Sequence, residues 1–195
     1  GDAVHVMDAM GKQIVMVETV GAGQQEVDII NHSHTVIVVL IPGMGDEIQA
    51  IKAGMMEIAD IFVINKADRD GAGQLENELI AMLNMASEFP GGWRPPIIRI
   101  GNLYDTGAFT ESVEKLAAAV SDHYRRLVET GLLGDRMRRK TMMEIHEALH
   151  DAILAPILTD LTESGEMDRI AERVLKKEAD PYTIADEIAK KYPVR

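Results

Sequence analysis

The chain has 195 residues and carries 20 Lys and Arg against 32 Asp and Glu, a formal net charge of -12. That charge repels phosphate backbones and anionic lipid, so bulk nucleic-acid binding and membrane-surface binding are excluded as main roles. There is no cysteine, which removes disulfides, thiol catalysis and cysteine-ligated zinc.

An apolar content of 46% is enough for one sizeable core with an appended helical element. No apolar run reaches the roughly eighteen residues of a spanning helix. The opening residues, GDAVHVMDAMGKQ, hold no apolar signal core with a cleavage site. The expected location is the cytoplasm, or the mitochondrial matrix in a eukaryote.

In chain order, Gln13–Thr19 (QIVMVET), His34–Ile41 (HTVIVVLI), Asp60–Asn65 (DIFVIN) and Pro96–Ile100 (PIIRI) are short, β-branched apolar runs. They predict buried strands of a parallel sheet. Between them, Asp46–Ala59 places Ile48, Ile51, Met55 and Ile58 at helical spacing, and Gln74–Ser87 does the same with Leu75, Leu79, Met82 and Leu83. Alternation of this kind predicts an α/β fold with right-handed crossovers. After Thr110 only helices are predicted: Glu111–Glu129, Arg136–Thr162, Gly165–Lys177 and Pro181–Tyr192. Asp180 before Pro181 is an N-cap followed by proline at the first turn, and Pro156 should kink the long helix. The shift in composition near ETGLLGD divides the chain into residues 1–130 and 131–195.

The strongest chemical signal is Asn65-Lys66-Ala67-Asp68 at the carboxyl end of an apolar strand. A carboxylate at Asp68 can accept two hydrogen bonds, from the N1–H and the exocyclic amine of guanine, whereas adenine presents a different edge. Asn65 can tie neighbouring loops, and the stem of Lys66 can cover the flat base. Upstream, Glu18 ends a predicted strand and Gly21 follows three residues later. A carboxylate there can hold a magnesium-bound water, and a glycine lets its amide approach a γ-phosphate.

A third pattern is HEALH, from His146 to His150. On a helix the two imidazoles share a face and can reach one zinc while Glu147 polarises its water. A hydrolase of that type also needs a third protein ligand and a cleft. Met142, Ile145, Leu149 and Ile153 instead form a seam fit for another helix.

The stretches VETVGAGQQE, PGMGDEIQAIKAGMMEIADIFVINKAD, WRPPIIRI and DHYRRLVETGLL resemble the MeaB/ArgK-type P-loop GTPases, the G-protein chaperones of cobalamin-dependent methylmalonyl-CoA mutase. The resemblance covers residues 1 to about 155. It implies the carboxyl-terminal part of a P-loop NTPase sheet with flanking helices, followed by an all-helical dimerisation arm. The implied ligands are GTP or GDP and Mg2+, and the implied partners are a cobalamin-dependent acyl-CoA mutase and a second copy of the chain.

Carried onto this sequence, the resemblance has Asn65, Lys66 and Asp68 read guanine, with Gly101, Asn102 and Leu103 in the second loop around the base. Glu18 meets Mg2+ through water, Gly21 senses the γ-phosphate, and Gln24 is the candidate for orienting the attacking water. Asp46, Glu47 and Lys52 fall in an additional switch loop that couples nucleotide state to the mutase. The HEALH helix falls in the dimer arm, which makes a zinc metallohydrolase the remote alternative.

Two departures stand out. No GxxxxGK[ST] occurs in these 195 residues, so nothing here cradles the β-phosphate, and the isolated chain is expected to be inactive as a GTPase. Truncation, a split gene and a pseudo-GTPase that serves as an interaction and dimerisation module all fit. In addition, Gly101 and Asn102 stand where a Ser-Ala or Ser-Gly pair is usual.

Overall fold

The computed structural model describes residues 2–19, 33–43, 58–101 and 104–192. They form two compact units, Gly1–Lys140 and Thr141–Arg195. The division falls ten residues beyond the expected 130/131 boundary and lies inside a helix.

The first unit is built on a parallel sheet of three strands in the order β1 (Ile37–Leu40), β2 (Ile61–Asn65), β3 (Ile97–Ile100). Val39 pairs with Val63, and Val63 with Ile98. These are three of the four predicted strands, trimmed at their ends. β2 is central and apolar on both faces, so its side chains alternate between two cores. Phe62 and Ile64 pack with Leu40 against Leu75, Leu79 and Leu83 of helix α2 (Ala72–Met85). Ile61 and Val63 pack with Ile98 against Leu116, Ala119 and Val120 of helix α3 (Thr106–Glu129). Asp105 caps α3 by accepting from the Ala108 amide.

The fourth predicted strand is corrected. Residues 13–19 hold no regular secondary structure, and Ile14 and Met16 are 80% and 91% exposed. β-branched residues form a strand only where a neighbour completes the ladder and covers the face, and among the described residues none pairs with this run. A short helix, α1 (Asp2–Ala9), precedes it and was not anticipated. The predicted helix at 46–59 lies mostly outside the described residues.

The remaining helices follow the predicted order. Helix α4 (Leu132–Leu149) runs through the unit boundary into the second unit. Where a kink at Pro156 was expected, the chain makes a π-helical turn over His150–Leu154, closed by the Ala155 amide donating to His150 O, before α5 (Ala155–Glu163). Pro156 has no N–H to continue the α-helical ladder, and the wider turn is the local answer. Helices α6 (Glu166–Leu175) and α7 (Pro181–Lys191) complete the unit. Arg173 and Glu187 join α6 to α7 through two hydrogen bonds of 2.9 and 3.2 Å. Asp180 caps α7 by accepting from the Tyr182 and Thr183 amides, as predicted.

Candidate functional site

The carboxyl ends of β2 and β3 converge on one loop. Asn65 closes β2, and its Oδ1 accepts from the Lys66 amide at 2.8 Å. Lys66 holds the left-handed backbone region at φ 55, which is uncommon for a residue with a side chain and marks a turn held by its surroundings. The Ala67 amide donates to Ile100 O at 3.0 Å, so the end of β3 fixes the turn. Asp68 follows this hydrogen-bonded turn, exposed, and among the described residues its carboxylate has no hydrogen-bond partner.

Beside it opens a pocket of about 260 Å³ lined by Ala67, Asp68, Arg99, Gly101, Phe109 and Ser112, with Ala108. The open end of a parallel sheet, at the carboxyl ends of its strands, is where α/β folds place ligands. A carboxylate with no partner among the described residues, at the rim of a pocket walled by an aromatic ring, suits a planar base that carries adjacent donors. A Cβ added at Gly101 would meet the Asp68 amide at 3.7 Å and its Oδ1 at 3.9 Å, ordinary contact. A serine or alanine would therefore fit there, and glycine is not demanded by space.

Of the sequence-predicted site residues, the structure brings Asn65, Lys66, Asp68 and Gly101 together. Glu18 is exposed, and residues 13–19 contribute nothing to the pocket lining. Gly21, Gln24, Asp46, Glu47, Lys52, Asn102 and Leu103 lie outside the described residues.

His146 and His150 are both exposed, and His150 Nδ1 lies 3.1 Å from Asp151 Oδ1. No group of three His, Asp or Glu able to hold a metal ion occurs among the described residues. The seam of the arm is open to solvent: Met142, Ile145 and Leu149 are 52%, 52% and 50% exposed, and Ile153 is half-buried.

Sequence reasoning missed a second constellation, at the opposite end of the sheet. Asp60 and His123 are only 7% and 1% exposed. Asp60 accepts from the Val36 amide at 2.9 Å and from both Arg136 terminal nitrogens, and His123 Nε2 stands 3.2 Å from its Oδ1. His123 Nδ1 meets Thr35 Oγ1 at 2.9 Å, and Trp93 donates its indole N–H to Asp60 O at 2.8 Å. Burial pushes the Asp60 pKa up, but the hydrogen bonds from Arg136, His123 and Val36 and the Arg136 charge outweigh it and hold the carboxyl below its ordinary range. The Thr–His–Asp order imitates a nucleophilic triad, yet Arg136 takes both Asp60 oxygens. Asp60 thus acts as a knot joining the starts of β1 and β2 to α3 and α4. The available signal was an acid at the head of an apolar strand, which must find a cation when buried.

Comparison with known proteins decides the family. The family model described as methylmalonyl Co-A mutase-associated GTPase MeaB matches residues 1–162. The chain belongs to the MeaB family.

Among MeaB-like relatives, a putative GTPase of Pyrococcus abyssi is 40% identical over 97% of this chain and 57% of its own length. A probable GTPase of Mycobacterium tuberculosis is 28% identical over 96% of this chain and 55% of its own. The mouse protein named methylmalonic aciduria type A homolog, mitochondrial, is 24% identical over the whole chain and 46% of its own length. The chain thus spans about half the length of these relatives. Among the described residues no helix is long and apolar enough to cross a membrane.

Proposed function

We propose that this chain is the guanine-reading and arm-bearing portion of a MeaB-type GTPase that serves a cobalamin-dependent acyl-CoA mutase. The observation that carries the reading is the Asp68 carboxylate, held open at the rim of the pocket at the carboxyl ends of β2 and β3. In this reading Asp68 accepts from the two adjacent donors of guanine, Lys66 covers the base, and Asn65 holds the turn. Gly101, Asn102 and Leu103 complete the second loop.

Magnesium keeps most of its waters and binds through one or two carboxylates together with substrate phosphates. The exposed Glu18 suits a contact through water but is too little to hold the ion alone. Bound magnesium would neutralise charge on the phosphates, while this chain's residues position the base end of the nucleotide. Gly21 and Gln24 are assigned to the phosphate end, and Asp46, Glu47 and Lys52 to a switch loop facing the mutase. The arm stripe is assigned to a homodimer, and the location to the cytoplasm, or the mitochondrial matrix in a eukaryote.

A second reading is an interaction module without nucleotide chemistry, for which the solvent-open stripe of Met142, Ile145 and Leu149 supplies the surface. Titration of the chain with GDP and Mg2+ separates the two. A micromolar dissociation constant supports the first reading. No detectable heat at millimolar nucleotide supports the second.

A further inference from the structure

Arg99 lies on β3 and lines the same pocket, yet neither its motif nor its position marked it in the sequence. Its Nη2 donates to Ala67 O at 3.1 Å, and its Nη1 donates to Glu76 Oε2 on α2 at 3.2 Å. The Ala67 carbonyl belongs to the same planar peptide unit as the Asp68 amide, so holding that oxygen fixes the plane from which Asp68 departs. The other backbone group of Ala67, its N–H, is held by Ile100 O, also on β3. Both polar groups of the residue before Asp68 are thus anchored to one strand, next to a left-handed Lys66 that needs such support.

We propose that Arg99, oriented by Glu76, is a positioning residue that sets the direction of the Asp68 carboxylate and thereby the strictness of guanine recognition. The inference rests on the guanine-reading assignment above. Both terminal nitrogens of Arg99 are engaged within the protein, so it acts on the base through Asp68. A planar fork reaches a carbonyl and a carboxylate at once, whereas a lysine ammonium is a point charge on a flexible stem. The pair is partly exposed, with Arg99 and Glu76 side chains 47% and 31% accessible. Removing it leaves the two apolar cores intact.

The test compares the parent chain with Arg99→Met, Arg99→Lys and Glu76→Gln, measuring affinities for GDP and for inosine diphosphate, which lacks the 2-amino group that Asp68 would bind. The preference of the parent for GDP should fall by about tenfold in Arg99→Met, the factor carried by one hydrogen bond of ordinary strength. It should recover in part with lysine and fall less in Glu76→Gln. Amide exchange in the nucleotide-free chain supplies a second readout: the Ala67 amide and the Arg69 amide, which donates to Lys66 O at 3.0 Å, should exchange about tenfold faster in Arg99→Met, with strand amides unchanged. Where the parent prefers GDP, an equal preference in Arg99→Met overturns the proposal whatever the amides do. A parent that does not distinguish the two nucleotides overturns the guanine assignment instead, and amide exchange alone then decides Arg99, with unchanged Ala67 and Arg69 rates counting against it.

Discussion

Arg136 holds Asp60 with both terminal nitrogens, Nη1 to Oδ2 at 2.9 Å and Nη2 to Oδ1 at 2.7 Å, across a separation of 76 residues. The same Nη1 donates to His34 O at 2.7 Å, so one side chain ties α4 to the chain entering β1 and to the head of β2. Breaking one side of a buried pair leaves the other charge uncompensated. Arg136→Met is therefore expected to lower the unfolding free energy by roughly 3 kcal/mol in urea titration. The double variant Arg136→Met with Asp60→Asn should lose less than the sum of the singles. Strict additivity would show that the two residues do not act as a pair.

The same carboxyl sets an acid limit. Its folded pKa lies below the ordinary value, so its contribution is complete above the unfolded value of about 3.8 and is lost as pH falls through the lower folded one. Thermal midpoints of the parent should accordingly drop more steeply below about pH 4 than those of Asp60→Asn. Parallel profiles for the two proteins would remove Asp60 from the acid response.

Trp93 is the single tryptophan, and its ring lies 5.0 Å from His123 while its N–H is bound to Asp60 O. Its emission therefore reports on this knot. Thr35→Val removes the hydroxyl facing His123 and should change the emission intensity while far-ultraviolet circular dichroism stays constant. Unaltered emission would mean that the imidazole keeps its orientation without Thr35.

Gly91 occupies the left-handed region at φ 61, and a Cβ there would stand 2.7 Å from Leu132 Cδ1. Its carbonyl accepts from Arg126 Nε at 2.7 Å, which fixes the turn against α3. Gly91→Ala adds a conformational cost of about 1–2 kcal/mol to that collision. A lowered denaturant midpoint at unchanged slope is the expected result.

Met142, Ile145 and Leu149 leave about half of each side chain in water, and covering large apolar groups contributes roughly 1.5–3 kcal/mol apiece. Under the homodimer assignment, Leu149→Glu with Ile153→Glu should give a folded monomer by light scattering. A persistent dimer would place the contact elsewhere, and unfolding would assign the stripe to the subunit's own packing.

Periodicity carried much of the fold because β2 and α2 answer to local rules. The apolar run of β2 is buried on both faces because it is the central strand, and Leu75, Leu79 and Leu83 can meet only one side of a sheet. The place of the NKAD turn at a strand end was legible for a related reason: the apolar run and the polar residues that stop it are adjacent in the chain. Residues 13–19 show the limit of that reasoning, since their pattern is that of a strand but no neighbour among the described residues pairs with them.

By itself, then, the sequence determined the parallel α/β core, the helical continuation, the cap at Asp180 and the placing of Asn65, Lys66 and Asp68 in one turn at a strand end, all of which depend on neighbours a few positions away. Tertiary structure alone decided that Asp60, His123 and Arg136 share one buried site, that Arg99 holds the carbonyl before Asp68, and that Pro156 is met by a π turn. Those outcomes depend on which distant groups close packing brings within hydrogen-bond reach, and a buried charge takes whichever partner the fold delivers rather than one its own spacing can name.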